Sequence, residues 1–456
     1  MGCLYLIGFL VAAHQFCPLL GERGLLPVPH FLKYARFSSE PSIFFLHYSD
    51  RFALTAAWAG VFLSVMAATG FSERFGTPFS VTVWVLLWVL YLSIVNVGQI
   101  FYAFGWESML LEAGFFAIFL GSSRTASPAV VIWILRWMLF RLMFGAGLIK
   151  LRGDSCWRDL TCLQYHYETQ PIPNGLSWFF HQMPAWFHKG GVLVNHIVEL
   201  AVPFGYFAPQ PVCAIAGILT ILFQGMLIVS GNFSWLNWLT IAIAFSCFND
   251  GILGKALPVP IPDVQPRSPF YDAAVWGLAA VVVIMSIRPV LNMISPAQVM
   301  NRSFNPLHLV NTYGAFGSVT RQRYEIAIEG TSDEQITPQT EWKEYPFKGK
   351  PGSVDKRPPQ IAPYHLRLDW LLWFAAMGSV RQYPWLLRLA ERLLEGDPAT
   401  LRLLAGNPFP DVPPKYIRMR YYLYRFTTPE ERKATGHWWK RELKGEYLPP
   451  VALKDR

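Results

Sequence analysis

Long apolar runs separated by short polar connections fill the first 299 residues of this 456-residue chain. A helix needs about 20 consecutive apolar residues to cross a bilayer. Runs of that kind lie at Cys3–Leu20, Phe52–Phe71, Val81–Phe104, Val130–Lys150, Trp186–Phe207, Pro211–Ser230, Phe233–Phe248 and Asp272–Ile294. The shorter stretch Ser108–Leu120 reads as a further span or as a re-entrant helix. The pattern therefore predicts about eight spans. Trp and Tyr recur near many run ends, where an interfacial belt puts them. Cys3–Leu20 has no basic n-region and no small-x-small cleavage site, so it reads as a retained helix. Lys255–Pro269 carries five prolines, which end the main bundle before the final run.

After Ile294 the texture changes. Tyr324–Glu329 alternates apolar and charged residues, as a half-exposed strand does, and Trp342–Phe347 is a second strand candidate. Leu366–Gly378 and Trp385–Glu395 have helical periodicity, Leu401–Ala405 is a short third helix, and Tyr416–Phe426 alternates again. The expected fold is an α-helical polytopic membrane bundle over residues 1–299, with a polar loop at 152–185. A small α+β soluble domain follows over 300–456.

Composition sharpens the division. The chain is 53% hydrophobic and 15% charged, against about 25% charged residues in soluble domains. From Met300 onward there are 24 Lys+Arg and 17 Asp+Glu, whereas residues 1–299 hold 15 and 13. The basic excess thus sits in the tail. Beside a bilayer it suits lipid headgroups or an acidic partner. No basic helix or zinc-knuckle spacing is present, so nucleic acid is not an expected partner. Basic residues do not sort between alternate loops, and orientation is not read from them.

The chemistry-bearing residues fall in two places. Ionisable groups inside apolar spans cost about 2.5–3.5 kcal/mol each at the helix centre, and so need a partner or water. Glu107, Glu112, Arg136, Arg141, Lys150 and Glu199 are three acids and three bases of this kind. Two readings stay open for them: ion pairs that clamp helices, or a polar cavity for a substrate or lipid headgroup. The second place is the polar loop, where Trp157, Tyr165, His166, Tyr167 and Glu168 form a polar aromatic cluster; Trp178 and Phe179 follow. Cys156 and Cys162 flank Trp157–Thr161 and could pair if the loop faces an oxidising compartment. His166, His181 and His188, spaced by 15 and 7, fit no zinc motif. There is no P-loop, nucleophile elbow or dinucleotide fingerprint. No metal or cofactor is expected. Sequons stand at Asn232, between two closely spaced spans, and at Asn301, where the tail begins.

Several segments resemble the lipase maturation factor family: VGQIFYAFGWESMLLEAGFFAIFL (97–120), LRWMLFRLMFGAGLIK (135–150), LQYHYETQP (163–171), LHLVNTYGAFGS (307–318), YHLRLDWLLWFAA (364–376) and NPFPDVPPKYIRMRYYLY (407–424). They run in order over nearly the whole chain. The NTYGAFG wording is similar to the paralogue acting on lipoprotein lipase, and the short loops would also suit a compact bacterial member. The resemblance implies a non-enzymatic maturation factor that helps dimeric lipases reach their active fold. Its polar loop and tail would face the lumen of the endoplasmic reticulum in a eukaryote; in a bacterium the protein would lie in the cell (inner) membrane. Client lipases and membrane lipids would be its partners, with Trp157, Tyr165, His166, Tyr167 and Glu168 as client-binding loop. A more distant resemblance, to vitamin K-dependent carboxylases, keeps a second reading: a membrane enzyme acting on a lipid or membrane-soluble cofactor.

Overall fold

The structure is a computed structural model that describes residues 1–256 and 264–453. Among the described residues, nine helices of nine residues or more build its membrane part: α1 Gly2–Leu20, α2 Asp50–Ala68, α3 Thr77–Asn96, α4 Gly105–Ala117, α5 Ala129–Arg152, α6 Ala185–His196, α7 Val212–Ser230, α8 Leu236–Ala244 and α9 Pro269–Ile294. A π turn at Ile197–Ala201 and a 3-10 turn at Val202–Phe207 extend α6. Among the described residues seven helices, the extended α6 included, are long and apolar enough to span a membrane. The expected spans thus shrink by one. Phe233–Phe248 yields only the nine-residue α8 and a 3-10 turn, and nine residues rise about 14 Å, half a bilayer core. Ser108–Leu120 falls in α4, where every residue but Phe115 is buried. Both short helices pack inside the bundle. Val81–Phe104 is also interrupted: α3 stops at Asn96, and Gln99 takes a positive φ of 47°. Residues 257–263 of the proline-rich stretch lie outside the described residues.

Contacts sort the helix ends into two sides. On one, Ser123 N donates to Glu73 at 2.7 Å, Gln265 N to the Arg124 carbonyl at 2.7 Å, and Gln210 to the Cys247 carbonyl at 2.8 Å. On the other, Asn96 reaches the Pro306 carbonyl, Arg152 the Met293 carbonyl and Asn232 the Pro173 carbonyl. The polar loop and the tail therefore share one face of the bundle.

The tail is built on an antiparallel sheet of order β2-β1-β3-β4, with β1 Arg323–Thr331, β2 Lys343–Glu344, β3 Tyr416–Phe426 and β4 Trp439–Val451. Helices α10 (Arg367–Ala375) and α11 (Trp385–Leu394) cover it. The strands expected at Tyr324–Glu329 and Tyr416–Phe426 are present, but the first is buried along almost its whole length and not half-exposed. The one expected at Trp342–Phe347 shrinks to two residues. The short third helix lies earlier than expected, at Pro398–Leu401, because Asp397 caps it through Thr400 N at 2.8 Å. One contiguous apolar core runs from Tyr5 in α1 through Leu110 and Trp235 to Trp385 and Leu448 in the tail. Packing joins bundle and tail into one body.

Candidate functional site

The six ionisable residues singled out in the spans do not converge on a shared pocket. They resolve into three buried ion pairs, one of which takes its base from the tail. Arg136 stands apart: its Nε donates to the Ser246 carbonyl at 2.8 Å, and its guanidinium lies 5.3 Å from the Trp133 ring centroid.

Glu112 of α4 and Arg141 of α5 form the central pair. Asn311 completes it. Its backbone N and Nδ2 donate to Glu112 Oε2 at 2.8 and 2.9 Å, while its carbonyl accepts from Arg141 at 2.6 Å. The Tyr313 hydroxyl adds a fourth donor to the carboxylate, at 2.7 Å. The segment that opens the tail is thus threaded into the bundle as an extended strap. Glycine on α5 makes room for it: a Cβ at Gly145 would stand 2.8 Å from the Tyr313 carbonyl oxygen, well inside contact distance.

Glu107 lies one α4 turn from the Asn96 end of α3 and pairs with Arg367 of α10 at 2.8 Å. The Tyr91 hydroxyl donates to its other oxygen. Arg367 also donates to the Phe101 carbonyl at 2.7 Å and stacks 3.4 Å from the Tyr102 ring centroid. From α1, Gln15 accepts from Arg367 N and donates to the His365 carbonyl at 2.7 Å. His365 sits in a box of Phe104, Trp106, Trp370 and Trp235 rings. Arginine suits this position because its charge persists and its flat face stacks on aromatics.

Lys150, at the end of α5, meets Glu199 at 2.6 and 2.7 Å and Asn195 at 3.0 Å. Asn195 donates in turn to Glu199 at 2.9 Å. A π turn is a one-residue expansion of the helix, and the one containing Glu199 carries that carboxylate onto the Asn195 side. Gly147 lets the helices close there; a Cβ on it would meet Leu200 at 2.7 Å. The ring of Trp157 covers the ammonium at 5.1 Å.

The polar loop is clamped by the tail. Arg323 of β1 donates to the carbonyls of Glu168, Gln170 and Pro171, which end the LQYHYETQP motif. Trp178 donates to the Thr427 carbonyl at 2.9 Å, and Trp373 to the Thr169 carbonyl at 2.9 Å. Glu168 accepts from Phe426 N at 2.7 Å, and burial pushes its carboxyl above the usual range. This packing corrects the expectation of an aromatic client surface on the loop. Trp157, His166, Tyr167 and Trp178 are buried, Tyr165 lies half-buried under Arg321 at 4.8 Å, and Phe179 is exposed. Cys156 and Cys162 form a disulfide whose Cα atoms are 4.8 Å apart. Of the sequons, Asn232 is buried, holding the carbonyls of Pro173 and Pro359 and the amides of Ile361 and Ala362. Asn301 is exposed.

Sequence reasoning singled out the bundle half of this seam and missed the tail half: Asn311, Tyr313, Arg323, His365 and Arg367. Each stands inside or beside a motif that carried the family resemblance, yet in a basic, polar tail an arginine gives no sign that it is buried. Chemically, the arrangement is a set of latches. Among the described residues, no three His, Cys, Asp or Glu side chains stand close enough to hold a metal ion.

Comparison with known proteins matches residues 1–255 to the family description "Lipase maturation factor transmembrane domain" and residues 309–449 to "Lipase maturation factor C-terminal domain". The chain is 44% identical to lipase maturation factor 1 of Bos taurus, covering 99% of this chain and 87% of that one. It is 42% identical to the human protein of that name, over 99% and 86%. Human lipase maturation factor 2 is 27% identical, over 100% and 82%. No solved structure matches the chain.

Proposed function

The chain belongs to the lipase maturation factor family, and from that premise we propose that it is a membrane-embedded factor that brings secreted lipases to their active form. The observation that carries this reading is the likeness to lipase maturation factor 1, which spans bundle, loop and tail together. The face bearing loop and tail is the client side. Since the loop's own aromatics are mostly buried, the client would meet the assembled loop-and-tail surface, and the latches would hold that surface in register with the bundle. A disulfide on this face supports an oxidising compartment, and the endoplasmic reticulum membrane is the proposed location. Dimeric lipases are the proposed clients.

The test is co-expression with a secreted dimeric lipase in cells whose own maturation factors are deleted. Lipase specific activity should rise with this chain present; activity unchanged at equal lipase mass would refute the proposal. The enzyme reading needs the buried acids and bases free to meet a substrate, and here Glu112, Arg141, Lys150 and Glu199 are engaged with one another.

A further inference from the structure

An open groove of about 640 Å³ lies where the loop, the tail and two membrane helices meet. Ile228 and Val229 at the end of α7 and Trp238 of α8 form its floor; Asn174 of the loop and Arg357 and Gln360 of the tail line it too. Its volume is that of a small-molecule site. The groove also prolongs an exposed apolar face: Ile215, Leu222, Met226 and Val229 lie on one side of α7 and are uncovered along its length. That face is where hydrocarbon chains must lie against a membrane helix.

The tail-side rim is cationic in an unusual way. Arg357 is fixed there by donating to the Gly175 carbonyl at 3.0 Å, and its guanidinium lies 5.2 Å from the Trp438 ring centroid. Arg432 stacks on the same indole at 3.6 Å, with Trp178 at 4.8 Å. Among the described residues neither arginine forms an ion pair with a carboxylate. Arg357 lines the groove, and a guanidinium with no carboxylate partner is a bidentate donor for a phosphate.

We propose that this groove binds an anionic glycerophospholipid. Its phosphate would be held by Arg357, with Arg432 on the same indole adding positive charge behind it, and its upper acyl chain would run past Val229 and Trp238 onto the apolar face of α7. An apolar floor continuous with the span, topped by unpaired cations at the bilayer-facing edge of the tail, is the layout of a lipid rather than of a soluble anion. The bound lipid would bridge loop, bundle and tail at the one place on the seam where the latches leave a gap.

Native mass spectrometry of the full chain, delipidated in maltoside detergent, tests this. The probes are dioleoyl phosphatidylglycerol, dioleoylglycerol with the same chains and no phosphate, and a polyglutamate peptide. The wild type should retain phosphatidylglycerol in preference to the other two. Arg357→Ala should weaken that binding roughly tenfold, as loss of a charge-assisted contact does, and Arg432→Ala should weaken it by less. Val229→Trp, which fills the floor and leaves both arginines in place, should also abolish it. The thermal unfolding midpoint of each variant reports whether it is folded; should an arginine variant unfold, the Val229→Trp result decides. Equal retention of dioleoylglycerol, preference for the acidic peptide, or undiminished phosphatidylglycerol binding in folded variants would overturn the proposal.

Discussion

Glu112 and Arg141 meet across the α4–α5 interface with 0% and 1% of their side chains exposed, and Asn311 bonds to both. Removing one member of a buried pair strands the other's charge and costs about 3–5 kcal/mol. Arg141→Leu should therefore lower the yield of folded protein sharply. The double variant Glu112→Leu/Arg141→Leu should recover only part of the loss, since the Asn311 and Tyr313 donors lose their acceptor. Thermal unfolding midpoints of the purified single and double variants check this. A double variant as unstable as the sum of the two singles would show that the pair is not coupled.

Arg367 reaches from the tail to Glu107 inside the bundle, so its loss should be felt at the junction as well as in stability. Arg367→Leu is expected to cost about 3–5 kcal/mol and to speed tryptic cleavage after Arg302 and Arg321, which flank the strap. Arg388→Leu is the control. It breaks an exposed i,i+3 pair with Glu391, for which well under about 1 kcal/mol is expected. Time-resolved proteolysis in detergent, followed by mass spectrometry, gives both readings. Equal cleavage rates for the two variants would mean that Arg367 does not latch the tail.

The disulfide makes a counting prediction. Cys156 and Cys162 are bonded, and Cys3, Cys17, Cys213 and Cys247 are free. Alkylation of the denatured, unreduced protein should label four cysteines, and six after reduction. Closing so short a loop restricts the unfolded chain only modestly, so Cys156→Ser/Cys162→Ser should lose about 2 kcal/mol. Six labels before reduction would remove the bond and, with it, the compartment argument that rests on it.

The division into bundle and tail was legible because lipid-facing helices must be apolar along most of their length. Span number was less so: Phe233–Phe248 is as apolar as a true span, and composition does not separate a membrane-crossing helix from one buried in the bundle. In the tail, the sequences of β1 and β3 alternate as half-exposed strands do, although eight of the nine β1 residues are buried; β4 does not alternate. Its residues Lys440–Lys444 are charged or exposed almost throughout, and Pro449 and Pro450 lie within it. An edge strand tolerates both, since one of its sides pairs with nothing. At the seam, the bundle acids and bases announced themselves by standing in apolar surroundings. Their partners in the tail did not, because Asn311, Tyr313 and Arg367 are ordinary in polar sequence and become unusual only once the chain has folded over them.

His166 supplies a pH prediction. It is buried between Phe233 and Phe316, and that burial, with the nearby Lys150 charge, brings its pKa from 6.5 down to about 3. His181 is likewise lowered, to about 4, by burial and then by His188. A lowered histidine is neutral in the fold and protonates more readily when unfolded, so the unfolded state takes up protons first. Stability is then full above pH 6.5 and declines as pH falls from there toward about 3. His166→Phe keeps an aromatic ring at the site and removes the proton. The variant should unfold at a midpoint that varies less between neutral and mildly acidic pH than the wild type's, with the remaining slope shared by His181 with its neighbour His188, and by His308, which burial also lowers. Calorimetry across that range decides the matter, and parallel pH profiles for the two proteins would place His166 in contact with water rather than in the core.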